Sequence, residues 1–370
     1  MRICYLTNSG IPSTSANSIA TVKICEAFTE LNNEVILITR DITSKNKNIY
    51  KFYDIKFKFK IKRIKSFKEF PFGLKYYLFS LISIITSLSY KPDIYITRNF
   101  FTCFLLVLLR KKVIIELHHD LNNESRIVKK LIKFTKYLHS KYVLKIITIT
   151  NGIKNEYVSK KYINVDKTLL LPSGSSIKNS FKFNFKKKKF NIGYFGSLYK
   201  SRGIDLIIKL SKIDKKNQNF LYGDLNQLSK TNLKNIPKNL KLKKHIPYRE
   251  VSSVLDKMDI LLMPYISSIT VSGNVADITK YTSPLKLFDY LCAGKIIICS
   301  DYDVLKEIIK DKENAIFVKN YKNPYSWKNE ILKLRNQISK QFIMSKNNHL
   351  LSKKYSLKKR AQLILNSISK

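Results

Sequence analysis

At 370 residues the chain is long enough for two domains, each with its own core, and 44% hydrophobic with 26% charged residues is a globular balance that excludes a disordered protein. The formal charge of +43 is carried mostly by Lys; it fits an anionic membrane surface or a compositional habit, and argues against nucleic acid, whose bidentate contacts use Arg. Cys4, Cys25, Cys103, Cys292 and Cys299 have neither metal nor redox spacing and read as reduced core residues of a cytosolic protein.

In chain order, RICYLT reads as a first strand rather than a signal peptide. The loop after it, TNSGIPSTSANSI, puts Gly10 and small hydroxyl residues ahead of a helix over Ser18–Leu31. That loop suits close backbone approach to a ligand, although it lacks GxGxxG. EVILIT, DIYIT, KVIIEL, LKIITIT and KTLLLP follow as strands. Between them, Lys56–Lys65 alternates Lys with Phe or Ile, the period of a strand with one solvated face. A second reading joins it to FKEFPFGLKYY as an aromatic and basic patch for a membrane interface. Gly73–Tyr90 is apolar but contains Lys75 and several Ser, which predicts a half-buried crossover helix rather than a span.

Residues 179–190, with the basic run FKFNFKKKKF, read as a linker between an N-terminal domain, 1–178, and a second domain, 191–345. The second domain opens its strands with NIGYFG, QNFLYG, DILLMP, KIIICS and NAIFV, and places helices at Ile204–Ile213 and Pro284–Ala293. Residues 346–370 read as a C-terminal helix that packs back on the first domain. Strand and helix in alternation predict an α/β protein with doubly wound parallel sheets.

Two loops at strand ends carry chemistry. In FGSLYKSRG, Gly196 ends a strand, and Lys200 and Arg202 precede a helix opening at Gly203, a candidate diphosphate clamp. In TSPLKLFDYLCAGK, Ser283 reads as the N-cap, Pro284 as the first helical residue and Gly294 as the stop. Lys286 then lies in the first turn, where the helix dipole disfavours a cation unless an anion sits opposite. The N–H groups of Leu285 and Lys286, with the Lys286 ammonium, would hold phosphate oxygens, and Asp289 one turn on would accept from ribose hydroxyls. The plainer alternative is a solvated loop and a surface pair of Lys286 with Asp289.

SPLKLFDYLCAGKIIICSD, with LKEII and ENAIFV after it, resembles the donor-site block of GT-B glycosyltransferases of family 4, those that build bacterial surface polysaccharides. STSANSIATVKICEAFTELNNEVILIT, PDIYITRNF, VIIELHHD, LLLPSGSSI, NIGYFGSLYKSRGIDLII and IPYREVSSVLDKMDILLMPY extend the likeness, in order, over nearly the whole chain. The resemblance implies two Rossmann-like domains facing each other across a cleft. It implies a retaining, metal-independent transferase without a cofactor, moving sugar from a UDP- or GDP-sugar to a lipid-linked or polysaccharide acceptor at the cytoplasmic membrane face.

By the same resemblance, Arg202 and Lys286 stabilise the leaving diphosphate and His118 faces the transferred sugar, with Glu116 and His119 beside it. Gly10, Gly196, Ser197, Lys200, Ser283, Pro284, Leu285 and Asp289 fall at donor-binding positions. Two departures stand out. The family's loop Arg falls on Ser197, with Lys200 as a substitute, and the first of its paired glutamates falls on Tyr281. A sugar-nucleotide epimerase of the same fold, with Asp277 as its proton-abstracting carboxylate, is one alternative. A basic, non-enzymatic binder of membrane or nucleic acid is the other.

Overall fold

Strands that are buried along their whole length need cover on both faces. Val113–Leu117 and Ile296–Ser300 are of this kind, buried at every position. The structure, a computed structural model, describes residues 1–42, 48–65, 73–177, 181–183, 189–234, 236–268 and 277–369. It divides into two compact units, Met1–Ser173 with Leu357–Lys370, and Gly174–Ser356.

The first unit begins β1 (Arg2–Gly10), α1 (Ala16–Glu30), β2 (Glu34–Asp41), α2 (Ile49–Phe52), β3 (Lys60–Lys65), α3 (Leu74–Leu88) and β4 (Ile94–Thr97). It continues α4 (Phe100–Leu108), β5 (Val113–Leu117), α5 (Arg126–Thr135), β6 (Val143–Thr148), α6 (Asn151–Ser159) and β7 (Thr168–Leu170). Its sheet has the order β3-β2-β1-β4-β5-β6-β7, with every neighbouring pair parallel. The Lys-rich β3 is therefore an edge strand, where alternating charges are solvated and discourage pairing with another chain.

The second unit runs β8 (Asn191–Phe195), α7 (Ile204–Ile213), β9 (Gln218–Gly223), α8 (Lys230–Lys234), β10 (Leu240–Lys244), α9 (Tyr248–Asp256) and β11 (Ile260–Met263). Then come α10 (Leu285–Cys292), β12 (Ile296–Ser300), α11 (Asp303–Lys306), β13 (Ala315–Val318), α12 (Pro324–Arg335) and α13 (Ile338–Ser352). A last helix, α14 (Leu357–Asn366), returns to the first unit. The second sheet has the order β10-β9-β8-β11-β12-β13, again parallel throughout. In each sheet the winding reverses once, beside β1 and β4 in the first and beside β8 and β11 in the second. Ligands of doubly wound sheets bind at such switch points, beyond the strands' carboxyl ends.

Three boundaries differ from expectation. The first unit ends at Ser173, ahead of the expected linker, because Ser175 already donates its N–H to the Tyr355 carbonyl (3.1 Å) and its hydroxyl to Asp289. Of the expected linker, residues 179, 180 and 184–188 lie outside the described residues, as do 66–72 of the aromatic run. Residues 346–370 are not one helix: α13 stays in the second unit, and extended Ser356 (ψ 143°) separates it from α14. Leu357, Ala361 and Ile364 of α14 enter the first unit's core with Tyr5, Val22 and Phe28. Finally, Ser283 is not the N-cap of α10. Pro284 is extended (ψ 120°) and takes that place itself, so the helix begins at Leu285 without a side-chain cap.

Candidate functional site

In the second unit the late start of α10 leaves the N–H groups of Leu285 and Lys286 without intrahelical acceptors. The helix is pinned to the end of β8 by Tyr290, whose hydroxyl accepts from the Phe195 N–H at 3.0 Å. From its first turn the Lys286 side chain reaches Tyr194. Its Nζ donates to the tyrosine hydroxyl at 3.0 Å and stands 4.1 Å from the ring centroid. The same ammonium is 5.7 Å from the Tyr265 ring, and the Arg202 guanidinium is 5.4 Å from that ring. Two cations thus share one aromatic surface between β8 and β11, the switch point of this sheet.

Gly196 makes this possible. Its φ is +136°, and a methyl group there would stand 3.0 Å from the Lys286 Nζ. Gly203 (φ +78°) serves the other cation: a side chain would strike the Pro264 carbonyl, so α7 and Arg202 come close to the end of β11. Burial first, and Arg202 second, hold the Lys286 ammonium well below its ordinary pKa. Among the described residues no carboxylate forms an ion pair with Lys286. Such a site is short of negative charge. Ser197 and Lys200 are exposed on the neighbouring turn, and the Ser197 carbonyl accepts from the Tyr194 hydroxyl at 2.7 Å.

Asp289, one turn along α10, accepts from the Ser175 hydroxyl at 2.6 Å. Burial raises its pKa to about 7 against that bond. Ser175 escaped the sequence reading although it lies in LLLPSGSSI, because only tertiary closure brings it to α10. Tyr281 lies eight residues before Asp289, and 269–276 of the preceding loop lie outside the described residues.

In the first unit His118 follows β5 and meets Glu116, 3.5 Å from its Nε2. Glu116 is 1% exposed and is surrounded by donors. Arg98 Nε lies 2.8 Å from its Oε2, the Tyr5 hydroxyl donates to the same oxygen at 3.1 Å, and Arg360 Nη1 lies 2.9 Å from Oε1. Burial alone would raise the Glu116 pKa, yet Arg360, Arg98 and His118 hold it well below the usual range. Burial and Arg98 lower His118 to about 4, against Glu116, so the imidazole is neutral near pH 7. Arg98 and Arg360 were absent from the sequence reading. Arg98 stands directly after β4, beside the switch point, and also donates to Asn17 of α1.

Gly10 has a structural reason of its own. A methyl group there would stand 2.4 Å from the Cγ2 of exposed Ile42, so that side chain would have to shift to admit any other residue. The Gly10 carbonyl accepts from Ser18, which α1 presents from its first turn.

Residues 175–350, which contain both cations, match the family described as glycosyl transferases group 1. The match likens the second unit to a group 1 glycosyltransferase domain. Over 277 residues it is 26% identical to an uncharacterized glycosyltransferase of Methanocaldococcus jannaschii, a match spanning 65% of this chain and 66% of that one. The fold is GT-B. It is similar to that of Anabaena HepE solved in complex with UDP-glucose (TM-score 0.69, 12% identity, 100% of this chain and 99% of that one). It is also similar to that of WaaG, a glycosyltransferase involved in lipopolysaccharide biosynthesis (TM-score 0.67, 12% identity, 98% and 99%). The group 1 match contains Arg202, Lys286 and Asp289. Among the described residues no three His, Cys, Asp or Glu side chains are grouped to hold a metal ion.

Proposed function

We propose that the protein transfers a sugar, with retention at the anomeric carbon, from a nucleoside-diphosphate sugar to a lipid-linked or polysaccharide acceptor of cell-surface glycan synthesis. The observation that carries this reading is the convergence of Lys286 and Arg202 on Tyr265 at the uncapped start of α10. Breaking the bond between the anomeric carbon and the diphosphate oxygen leaves negative charge on the diphosphate. Fixed cations and helix N–H groups stabilise that charge without reorganising. In this reading they do so without a metal ion, and Asp289 accepts from the ribose hydroxyls. Neutral His118 can offer or accept one hydrogen bond to a sugar hydroxyl, with Glu116 fixing the ring. HepE's complex with UDP-glucose supports a UDP-sugar ahead of a GDP-sugar, and WaaG supports a lipopolysaccharide-type acceptor. A cytoplasmic setting follows from such donors.

The test is a thermal-shift panel of UDP-, GDP-, ADP- and CMP-sugars, because a ligand of the native state raises apparent stability. One class should stabilise the wild-type protein, and Lys286→Ala combined with Arg202→Ala should abolish that shift together with transfer. Wild-type nucleotide affinity in the double variant would overturn the reading.

A further inference from the structure

Along β2 the side chains alternate between the two faces of the sheet. Val35 and Leu37 enter the core shared with α1 and α14, while Ile36, Ile38 and then Arg40 take the other face, toward α3. The backbone at the end of the strand is fixed. The Arg40 carbonyl accepts from the Ile11 N–H at 3.1 Å, and Thr39 donates its hydroxyl to the Ser9 carbonyl at 2.6 Å.

The Arg40 side chain has no such ties. Its guanidinium lies 5.6 Å from the centroid of the Tyr76 ring, in the first turn of α3, and the Lys75 ammonium lies 5.5 Å from the same centroid. Two cations again share one aromatic ring, as Lys286 and Arg202 share Tyr265. Nearby arginines are paired: Arg63 with Asp41 at 3.2 Å, and Arg98 with Glu116 at 2.8 Å. Among the described residues no carboxylate pairs with half-buried Arg40, and its Nε, shut off from solvent, meets no acceptor. An unmade hydrogen bond on a buried charged group is costly, and folded proteins keep few of them. An oxyanion would supply the missing acceptor and relieve the repulsion between the two cations.

Arg40 stands at the carboxyl end of its strand, the rim on which ligands of such sheets bind. The same rim carries Gly10 on β1, Arg98 after β4 and His118 after β5. From β2 to β5 is a step of three strands, about 14 Å. A group held by Arg40 is therefore well removed from the hydroxyl that His118 meets. The donor diphosphate has its own cations, Lys286 and Arg202, in the other unit.

We propose that Arg40, with Lys75 and Tyr76, binds an oxyanion, a phosphoryl or carboxylate group, carried by the glycan part of the acceptor. That the anion belongs to the acceptor rests on the transfer reading; the anion site itself does not.

The experiment reads Arg40 directly by NMR of the full chain with isotope-labelled arginine, following the Nε–H resonance that is lost in Arg40→Lys. Glucose 6-phosphate, glucuronate, glycerol phosphate and glucose are each added at constant ionic strength. Glucose 6-phosphate, glucuronate or both should move the resonance, and glucose should leave it in place. Lys75→Gln should weaken the affinity read there about tenfold, with the unfolding transition and the nucleotide-induced thermal shift at wild-type values. A resonance that neither sugar anion moves, or that glucose moves equally, overturns the proposal. Tighter binding of glycerol phosphate than of either sugar anion overturns it too, and would assign the site to a lipid head group. A wild-type protein that responds at Arg40 but shows no thermal shift with any nucleotide sugar would sink the transfer reading and leave the anion site standing.

Discussion

The ammonium of Lys286 occupies the space that a side chain on Gly196 would need, 3.0 Å from where a methyl group would stand. A loop glycine and a helix lysine ninety positions apart are therefore one device. The glycine opens a channel at the end of β8, and the lysine fills it with charge. Gly196→Ala should push the flexible ammonium off the Tyr194 hydroxyl and strain the backbone by about 1–3 kcal/mol at its φ of +136°. Calorimetric titration should show nucleotide binding at least tenfold weaker, with the unfolding transition only modestly lower. Unchanged affinity would remove Lys286 from the diphosphate site.

The second prediction concerns protons. Burial and Arg202 disfavour the Lys286 ammonium in the free protein. An incoming diphosphate reverses that bias by supplying opposite charge, so its binding should be coupled to proton uptake. Nucleotide affinity should fall as pH rises above the depressed Lys286 pKa. The observed binding enthalpy should vary with the ionisation heat of the buffer. Lys286→Arg, charged at every accessible pH, should abolish that buffer dependence; if wild type lacks it too, no coupling exists.

A third prediction follows from Asp289, whose carboxyl is raised from 3.8 to about 7 in the folded chain. Between those values the folded protein holds a proton that the unfolded chain has released. Stability from this group is therefore present below pH 4 and lost as pH rises through 7. Asp289→Asn should flatten this part of the profile. The melting temperature at pH 8 relative to pH 5 should rise in Asp289→Asn compared with wild type, and an identical difference in both proteins would show that Asp289 ionises normally.

The parts legible in the sequence were those that local rules determine. Continuous apolar runs and glycine stops located eleven of the strands and the helix that carries Lys286, because strand burial and helix starts are written in adjacent residues. Strand β10, LKLKK, went unread because four of its five residues are not buried at the sheet edge and three of those four are lysines. Pro284 misled in a different way. Proline favours the first helical position, but its ψ of 120° keeps it outside the helix. Tyr194, Tyr265 and Ser175 had no signal at all. Each is an ordinary residue of a strand end or loop until the sheet's reversal brings it to α10.

Arg360 is the extreme case, and it yields the last prediction. It lies in α14, 244 positions after Glu116, and no spacing connects the two in sequence. Its guanidinium nevertheless makes three contacts: Nη1 with Glu116 (2.9 Å), Nε with the Pro172 carbonyl (3.0 Å) and Nη2 with the Leu171 carbonyl (3.3 Å). Removing one partner of a buried pair leaves the other charge poorly compensated, at a cost of about 3–5 kcal/mol. Arg360→Ala should destabilise the first unit by that order in urea unfolding. Arg360→Lys, which restores charge without the fork, should recover only part of it. The imidazole supplies a readout that a purely structural loss would not move. Arg360 is one of the charges depressing His118 and neutralising Glu116, so without it the His118 titration followed by NMR should climb from about 4 toward the ordinary histidine range. A destabilised variant with His118 still titrating near 4 would show that α14 holds the first unit together without tuning the histidine.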